Sequence, residues 1–326
     1  MINLGFIGAG RMANAHADAL KNSADCRLLG VYDPERTAAE KFAKERACGK
    51  IYHSLAELAA DPALDGVLVC NFTDQHHDTL VELLNAGKKS IFCEKALVRK
   101  LEDGEDLVRR VKKAKAAVMV GHHRRHIAGY ARLKQLIDAG DLGRPLMAKV
   151  AVCCAGYARQ WGDFFADFER SGGVTLDMMS HPIDQLNWYF GKPTRASGQS
   201  LMFDRSLALP TDYLSGTVTY ANGVICNIDG SWQRYGVGYD KIEVYGDKGT
   251  AIYDNSDKLH IYRPGEHTEL LVGNPPPYVT QMRNFIDMIT KGTPPKTTLV
   301  DGFNAVRVAL ALIESAKSNK TIEMAQ

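Results

Sequence analysis

The chain has 326 residues, of which 45% are apolar and 24% charged, and a formal net charge of +2. That length predicts about two domains with ample core. The near balance of charge excludes the basic field that nucleic acid or an anionic membrane surface calls for, and no apolar run is long enough to span a bilayer. No basic leader followed by an apolar signal region opens the sequence, so no export signal is expected. Cys26, Cys48, Cys70, Cys93, Cys153, Cys154 and Cys226 lack C-x-x-C spacing and mostly sit in apolar runs. This predicts reduced thiols in a cytoplasmic protein.

In chain order, Ile2 to Ile7 reads as a strand, and Gly8-Ala9-Gly10-Arg11-Met12-Ala13 follows at once and opens a helix through Leu20. A G-x-G-x-x-G/A pattern between strand and helix is a dinucleotide fingerprint. Gly8 permits the tight turn, Gly10 lets a pyrophosphate approach the backbone, and Ala13 lets the helix pack closely. Arg11 and Met12 lie in this turn, ahead of a helix read from Asn14 whose N-terminal amides face the phosphates. The next strand, Arg27 to Tyr32, ends in Asp33, where a carboxylate accepts from a ribose 2′-hydroxyl. That acid favours NAD and repels a 2′-phosphate, whereas Arg36, three residues on, keeps NADP open.

A helix is expected from Pro34 to Lys44, with Pro34 in its first turn. Ser54 to Glu57 looks like a capping box, Asp65 to Cys70 a buried strand, and Thr73 or Asp74 the cap of a helix ending near Gly87. Ser90 to Lys95, a helix from Leu101 to Ala114, and Ala117 to Gly121 complete an alternation that predicts a doubly wound parallel sheet. Ligands bind at the carboxyl ends of such strands. Asn71, His76 and Glu94 fall at those ends and join Gly8, Gly10, Arg11, Met12, Asp33 and Arg36 as expected cofactor contacts.

The character changes after about residue 124. One helix ends at Gly140, Leu146 to Cys154 alternates as a strand, and Ala196 to Arg263 is all strand and turn, with an Asn222-Gly223 hairpin signal. The reading is an α/β chain: a nucleotide-binding domain over 1–124, then an α+β domain with a large, mainly antiparallel open sheet over 125–326. Helices are expected at the end, after the stiff Pro275-Pro276-Pro277 connector.

Three segments carry candidate chemistry. Lys95 leaves a strand on the cofactor side, where a cation can lower the pKa of a substrate hydroxyl; a surface lysine is the plainer reading. Asp177, His181 and Asp184 are spaced four and three apart, so on a helix the first two share a face. A histidine with a carboxylate beside it suits a general base, although Pro182 requires a helix to start or kink there. The run Gly121-His122-His123-Arg124-Arg125-His126 lacks metal-ligand spacing. It reads as a basic, solvated junction, with Arg124 a candidate substrate contact and no metal expected.

Taken together, these motifs resemble the Gfo/Idh/MocA oxidoreductases over the whole chain. The fingerprint with Asp33, the segment Ala86 to Lys95 and the run Gly172-Gly173 to Asp184 all match the pattern of that family. The resemblance implies a Rossmann domain and a second domain with a large open sheet. It also implies hydride transfer between nicotinamide and a hydroxyl-bearing carbon of a sugar, polyol or related compound. His181 then acts as acid/base, with Lys95 polarising the oxygen and Asp177 positioning the substrate. One departure is Ala96, where the family usually has proline; a cis bond before a non-proline residue costs about 3 kcal/mol, so cis and trans paths both stay open. Another is Asn71 to His76, which retains only the histidine of the family's T-P-N-x-x-H.

Tyr157 and Trp161 lie in a segment suited to closing over a sugar ring. Two rival functions remain: an NAD-dependent glycosidase working by transient oxidation, and a non-catalytic NAD-sensing regulator. A homodimer or homotetramer is expected, since an open sheet needs a cover.

Overall fold

The computed structural model describes residues 1–155, 164–165, 167–201, 212–234, 238–273 and 275–324. The chain forms two compact units, Met1–His123 with Pro276–Phe303, and Arg124–Pro275 with Asn304–Gln326.

The first unit alternates β1 (Ile2–Ile7), α1 (Arg11–Leu20), β2 (Cys26–Tyr32), α2 (Arg36–Glu45), β3 (Lys50–Ile51), α3 (Leu55–Ala60), β4 (Gly66–Val69), α4 (His76–Asn85), β5 (Ser90–Cys93), α5 (Leu101–Ala114) and β6 (Ala117–Val120). The six strands pair in parallel in the order β3-β2-β1-β4-β5-β6. The order reverses between β1 and β4, the crevice where dinucleotides bind in such sheets. Every residue of β4 is buried, as expected of a strand covered on both faces. Helix α1 buries Ala13, His16, Ala17 and Leu20, a stripe at i, i+3, i+4 and i+7.

Local signals behave largely as read. The Glu57 amide donates to Ser54 Oγ at 3.1 Å, so Ser54 caps α3, and the Glu57 carboxylate accepts from the amide of His53, one residue before the cap, at 2.7 Å. Gly87 ends α4 with φ +87°. Two helix starts differ. Pro34 lies ahead of α2, whose N-cap is Glu35, because the Asp33 carboxylate holds the Glu35 amide in a turn at 2.8 Å. Helix α4 starts from Gln75 after a 3-10 turn over Thr73–Gln75.

The second unit carries α6 (Ala128–Asp138), β7 (Pro145–Ala155), α7 (Phe168–Ser171), α8 (Gly173–Asp177), α9 (Ser180–Phe190), β8 (Pro193–Leu201), β9 (Tyr213–Tyr220), β10 (Ile225–Arg234), β11 (Tyr239–Gly246), β12 (Thr250–Tyr253), β13 (Lys258–Arg263) and β14 (Glu266–Leu271). Then come α10 (Pro277–Lys291), α11 (Leu299–Ser318) and a final short strand, β15 (Ile322–Glu323), where helices alone were expected. The nine strands run β14-β13-β12-β11-β7-β10-β9-β8-β15. All pairings are antiparallel except β7 with β10. The Asn222-Gly223 turn closes β9 to β10, with the Tyr220 amide 2.9 Å from Val224 O and Gly223 at φ +87°. Leu214, Val218, Tyr220, Cys226 and Ile228 are buried, while Ser215 and Asn227 between them are exposed. That alternation gives the sheet one apolar face and one outward face.

Contacts divide the chain differently from the expected 1–124 and 125–326. The first boundary falls at His123, and Pro276–Phe303 returns to the nucleotide-binding unit. The cause is the apolar side of α10. Met282, Phe285, Ile286 and Met288 are buried in one cluster with Phe6, Phe92 and Met119. The rings of Phe285 and Phe92 lie 5.9 Å apart, edge to face. No helix among the described residues is long and apolar enough to cross a membrane.

Because Phe285 is fully buried, Phe285→Ala is expected to lower the stability of the nucleotide-binding unit by about 3–5 kcal/mol. Chemical denaturation followed by intrinsic fluorescence measures this. A loss under about 1 kcal/mol would place α10 outside that core.

Candidate functional site

The turn after β1 is shaped by two glycines with different duties. Gly8 has φ +90°, and a Cβ there would sit 2.8 Å from the Cys70 carbonyl carbon and oxygen. The turn thus presses on the end of β4, where only a residue without a side chain fits. Gly10 is the N-cap of α1, and a Cβ there would meet nothing within 4 Å. Gly10 has no side chain to cap the helix, and the first turn of α1 holds no acid. These amides and the positive end of the helix dipole therefore suit a pyrophosphate. Arg11 is exposed and Met12 half-buried at the start of this helix.

Asp33 braces the same turn. Its Oδ2 accepts from the Ala9 amide at 2.8 Å and its Oδ1 from the Glu35 amide at 2.8 Å. Each oxygen keeps acceptor capacity for a ribose hydroxyl. Arg36 is an exposed residue of α2 paired with Glu40 at 3.0 Å, an i,i+4 surface pair of small energetic weight. The residues present at this strand end fit a dinucleotide with an unsubstituted ribose.

At the end of β4, Asn71 donates from Nδ2 to Thr79 Oγ1 at 2.9 Å. Its Oδ1 is buried without a hydrogen-bond partner among the described residues, which leaves one acceptor for a ligand. His76 is fully buried. Its Nδ1 lies 2.9 Å from Ala96 O and 3.2 Å from Leu97 O, and its Nε2 lies 3.1 Å from Asn71 O. Burial pushes its pKa below the usual histidine value, outweighing those carbonyls. His76, expected from the sequence as a cofactor contact, is thus an internal pin between the end of β4 and the chain after Lys95.

Glu94 is buried too. Its Oε1 lies 2.6 Å from His16 Nε2, and its Oε2 accepts from the Lys95 amide at 3.1 Å. Burial pushes this carboxyl up, but the His16 bond and charge, with Lys95, hold it below the usual glutamate value. Gly121 leaves room for the carboxylate: a Cβ there would come 3.0 Å from Oε1. His16 is edge-on to Phe92 at 4.8 Å and to Tyr278 at 5.5 Å. Sequence reading missed His16. Its position in the Ala13, Ala17, Leu20 stripe was the available signal, since a histidine on a buried face needs a polar partner. Lys95 is half-buried, and its peptide to Ala96 is cis.

In the second unit, Gly172 at φ +73° ends α7 and leads into α8. Asp177 and His181 are both half-buried, but they do not share one helix. Asp177 ends α8, and His181 is the second residue of α9. Pro182 is the reason: in the first turn of α9 its missing amide has no intrahelical acceptor to lose, whereas a continuous helix would lose one.

Asp184 goes elsewhere than to His181. It is fully buried, with Oδ2 2.9 Å from Arg125 Nε and Oδ1 2.7 Å from Arg125 Nη2. This two-pronged fork is the geometry that makes a buried ion pair tolerable. Arg124 is only 6% exposed. It reaches Asp240 Oδ2 at 2.7 Å and Gln185 Oε1 at 3.1 Å, and its guanidinium lies 5.3 Å from the Tyr130 ring centre. The solvated basic junction expected here is therefore a buried one, because acids from α9 and β11 neutralise it. Arg124 serves as an internal strut in place of the expected substrate contact. Tyr157 and Trp161 lie outside the described residues.

Two family models match this chain: the oxidoreductase family, NAD-binding Rossmann fold, over residues 2–122, and the GFO/IDH/MocA C-terminal domain over residues 130–252. The inositol 2-dehydrogenase of Rhizobium meliloti strain 1021 is 30% identical, with 99% of both chains covered. The myo-inositol 2-dehydrogenase of Thermotoga maritima is 28% identical over 99% of this chain and 98% of its own. Levoglucosan dehydrogenase, solved with NADH and levoglucosan, is similar in fold, with a TM-score of 0.91 over all of both chains at 19% identity.

The two glycines separate folding from binding. Gly8→Ala is expected to cost on the order of 2 kcal/mol from its positive φ alone, seen as a lower Tm. Gly10→Ala is expected to leave Tm unchanged and to weaken NAD binding about tenfold, roughly 1.4 kcal/mol, measured by calorimetry. Equal effects of both variants on Tm would contradict this division.

Proposed function

Because this chain belongs to the Gfo/Idh/MocA oxidoreductases and carries their NAD-binding Rossmann unit, we propose that it transfers hydride between NAD and a hydroxyl-bearing carbon of a cyclic polyol or sugar. The observation that carries this reading is the Gly8–Gly10 turn, open at Gly10 and braced by Asp33. The substrate class rests on relatives named inositol 2-dehydrogenases that match nearly the full chain. Asp33 favours NAD over NADP, because its carboxylate repels a 2′-phosphate.

In this mechanism the bound nicotinamide supplies the hydride acceptor or donor. His181 takes the hydroxyl proton in oxidation and returns it in reduction, a task suited to an imidazole near neutral pH. Lys95 places its ammonium beside the same oxygen and favours the alkoxide. Asp177 orients the substrate and the histidine. What supports these roles is the agreement of all three positions with the family pattern. All three are half-buried.

We also read the outward face of the nine-stranded sheet as the surface through which copies of this chain form a dimer or tetramer. Exposed Ile225 on β10 supports that reading. All seven cysteines are thiols, which supports a reducing, cytoplasmic setting.

With NAD+ and a panel of cyclic polyols and sugars, absorbance at the reduced-nicotinamide band is expected to rise for the correct substrate. His181→Ala or Lys95→Ala should then cut kcat by about 10²–10⁴-fold with NAD affinity little changed. Unchanged turnover in both variants would overturn the assignment. Light scattering at micromolar protein should report two or four chains; a monomer would refute the assembly reading.

A further inference from the structure

The edge hairpin of the second unit carries a group of side chains that hydride transfer does not use. Strands β13 and β14 pair antiparallel with His260 opposite Glu269 and Tyr262 opposite His267. Since alternate residues share a face, this register brings His260, His267 and Glu269 together on one side of the hairpin. His260 Nδ1 lies 3.2 Å from His267 Nε2 and 3.6 Å from Glu269 Oε1. One ligand atom from each of the three lies within 4.8 Å of the others.

We propose that His260, His267 and Glu269 form a binding site for a zinc-type divalent cation on the β13–β14 hairpin. The donor set is two imidazole nitrogens and one carboxylate oxygen, which suits Zn2+, Ni2+ or Cu2+ rather than the all-oxygen shells of Ca2+ or Mg2+. A tetrahedral zinc with bonds near 2.0–2.1 Å separates its ligand atoms by about 3.3–3.4 Å. The separations from His260 Nδ1, 3.2 Å and 3.6 Å, lie on either side of that edge length. The third pair, within 4.8 Å, closes by side-chain rotation of the exposed His267 and Glu269, and water completes the shell at the exposed fourth position.

The surroundings hold the ligands in place. The ring of Tyr262 is stacked on His267 at 4.3 Å with an interplanar angle of 1°, which fixes the plane of that imidazole. The second oxygen of Glu269 is held by Lys258 Nζ at 2.7 Å, turning the other oxygen to His260. Such outer contacts orient metal ligands and tune their affinity. Among the described residues, strand β14 is the last in its sheet. A cation bridging β13 and β14 would tie this edge down, and its binding energy would add to the stability of the hairpin.

The test uses the full chain, dialysed against chelator and then titrated with ZnCl2 by calorimetry, with Co2+ absorption as a second probe of geometry. One Zn2+ per chain and tetrahedral Co2+ bands are expected. The double variant His260→Ala/His267→Ala should weaken Zn2+ by about tenfold or more, since even outer-sphere partners are worth 10–100-fold. Glu269→Gln should weaken it in the same direction. NAD binding, unchanged in each variant, shows that the chain is folded and makes the result independent of the substrate proposal. No Zn2+ binding, or equal binding by the wild-type chain and the double variant, would overturn the site and assign any bound cation to adventitious ligands elsewhere.

Discussion

The buried carboxylate of Glu94 is the constraint on which the nucleotide-binding unit is built. An isolated charge in this interior would cost several kcal/mol. It is tolerated because His16 meets it at 2.6 Å and the Lys95 amide donates to it. His16 belongs to α1, the helix that follows the Gly8–Gly10 turn. Lys95 is the residue proposed above to meet the substrate oxygen. One carboxylate therefore ties that helix to the backbone of Lys95. Gly121 is bare because a side chain there would crowd this carboxylate. His76 secures the same segment one residue further on through Ala96 O.

The second unit repeats this logic with different residues. Asp184 lies three positions after His181 and is fully buried against the fork of Arg125. Breaking such a pair on one side typically costs about 3–5 kcal/mol. Helix α9 is thereby fixed near its beginning, where His181 sits. In each unit the residue proposed for the chemistry stands near a buried, hydrogen-bonded carboxylate. Precise placement of a reactive side chain needs such support, since a small displacement sacrifices much of the rate.

The legible parts of this chain were those encoded by neighbours in sequence. The Gly8–Ala13 fingerprint, the Asn222-Gly223 turn, the cap at Ser54 and the parallel order of strands could be read because turn geometry and periodicity involve a few contiguous residues. The spacing of Asp177, His181 and Asp184 was also legible, but its geometry was not. Helix periodicity put the first two on one face, and Pro182 broke that helix into α8 and α9. The run His122 to His126 read as solvated because its charge was visible and its neutralising partners were not. Likewise, α10 read as part of the second domain because it follows that domain in sequence, whereas its apolar face belongs to the core with Phe92.

By itself the sequence determined a parallel nucleotide-binding sheet, an acid at the end of β2 and a second unit with a mainly antiparallel sheet. Each follows from short-range rules: φ at glycine, burial alternating every two or every 3.6 residues, and strand–helix alternation. Only the tertiary structure decided which polar residues are buried struts and what partners they meet. His16 meets Glu94 across 78 positions, Arg125 meets Asp184 across 59 and Arg124 meets Asp240 across 116. A buried charge takes whatever partner the fold brings within reach. Its role is therefore set by long-range packing, on which local sequence leaves no mark.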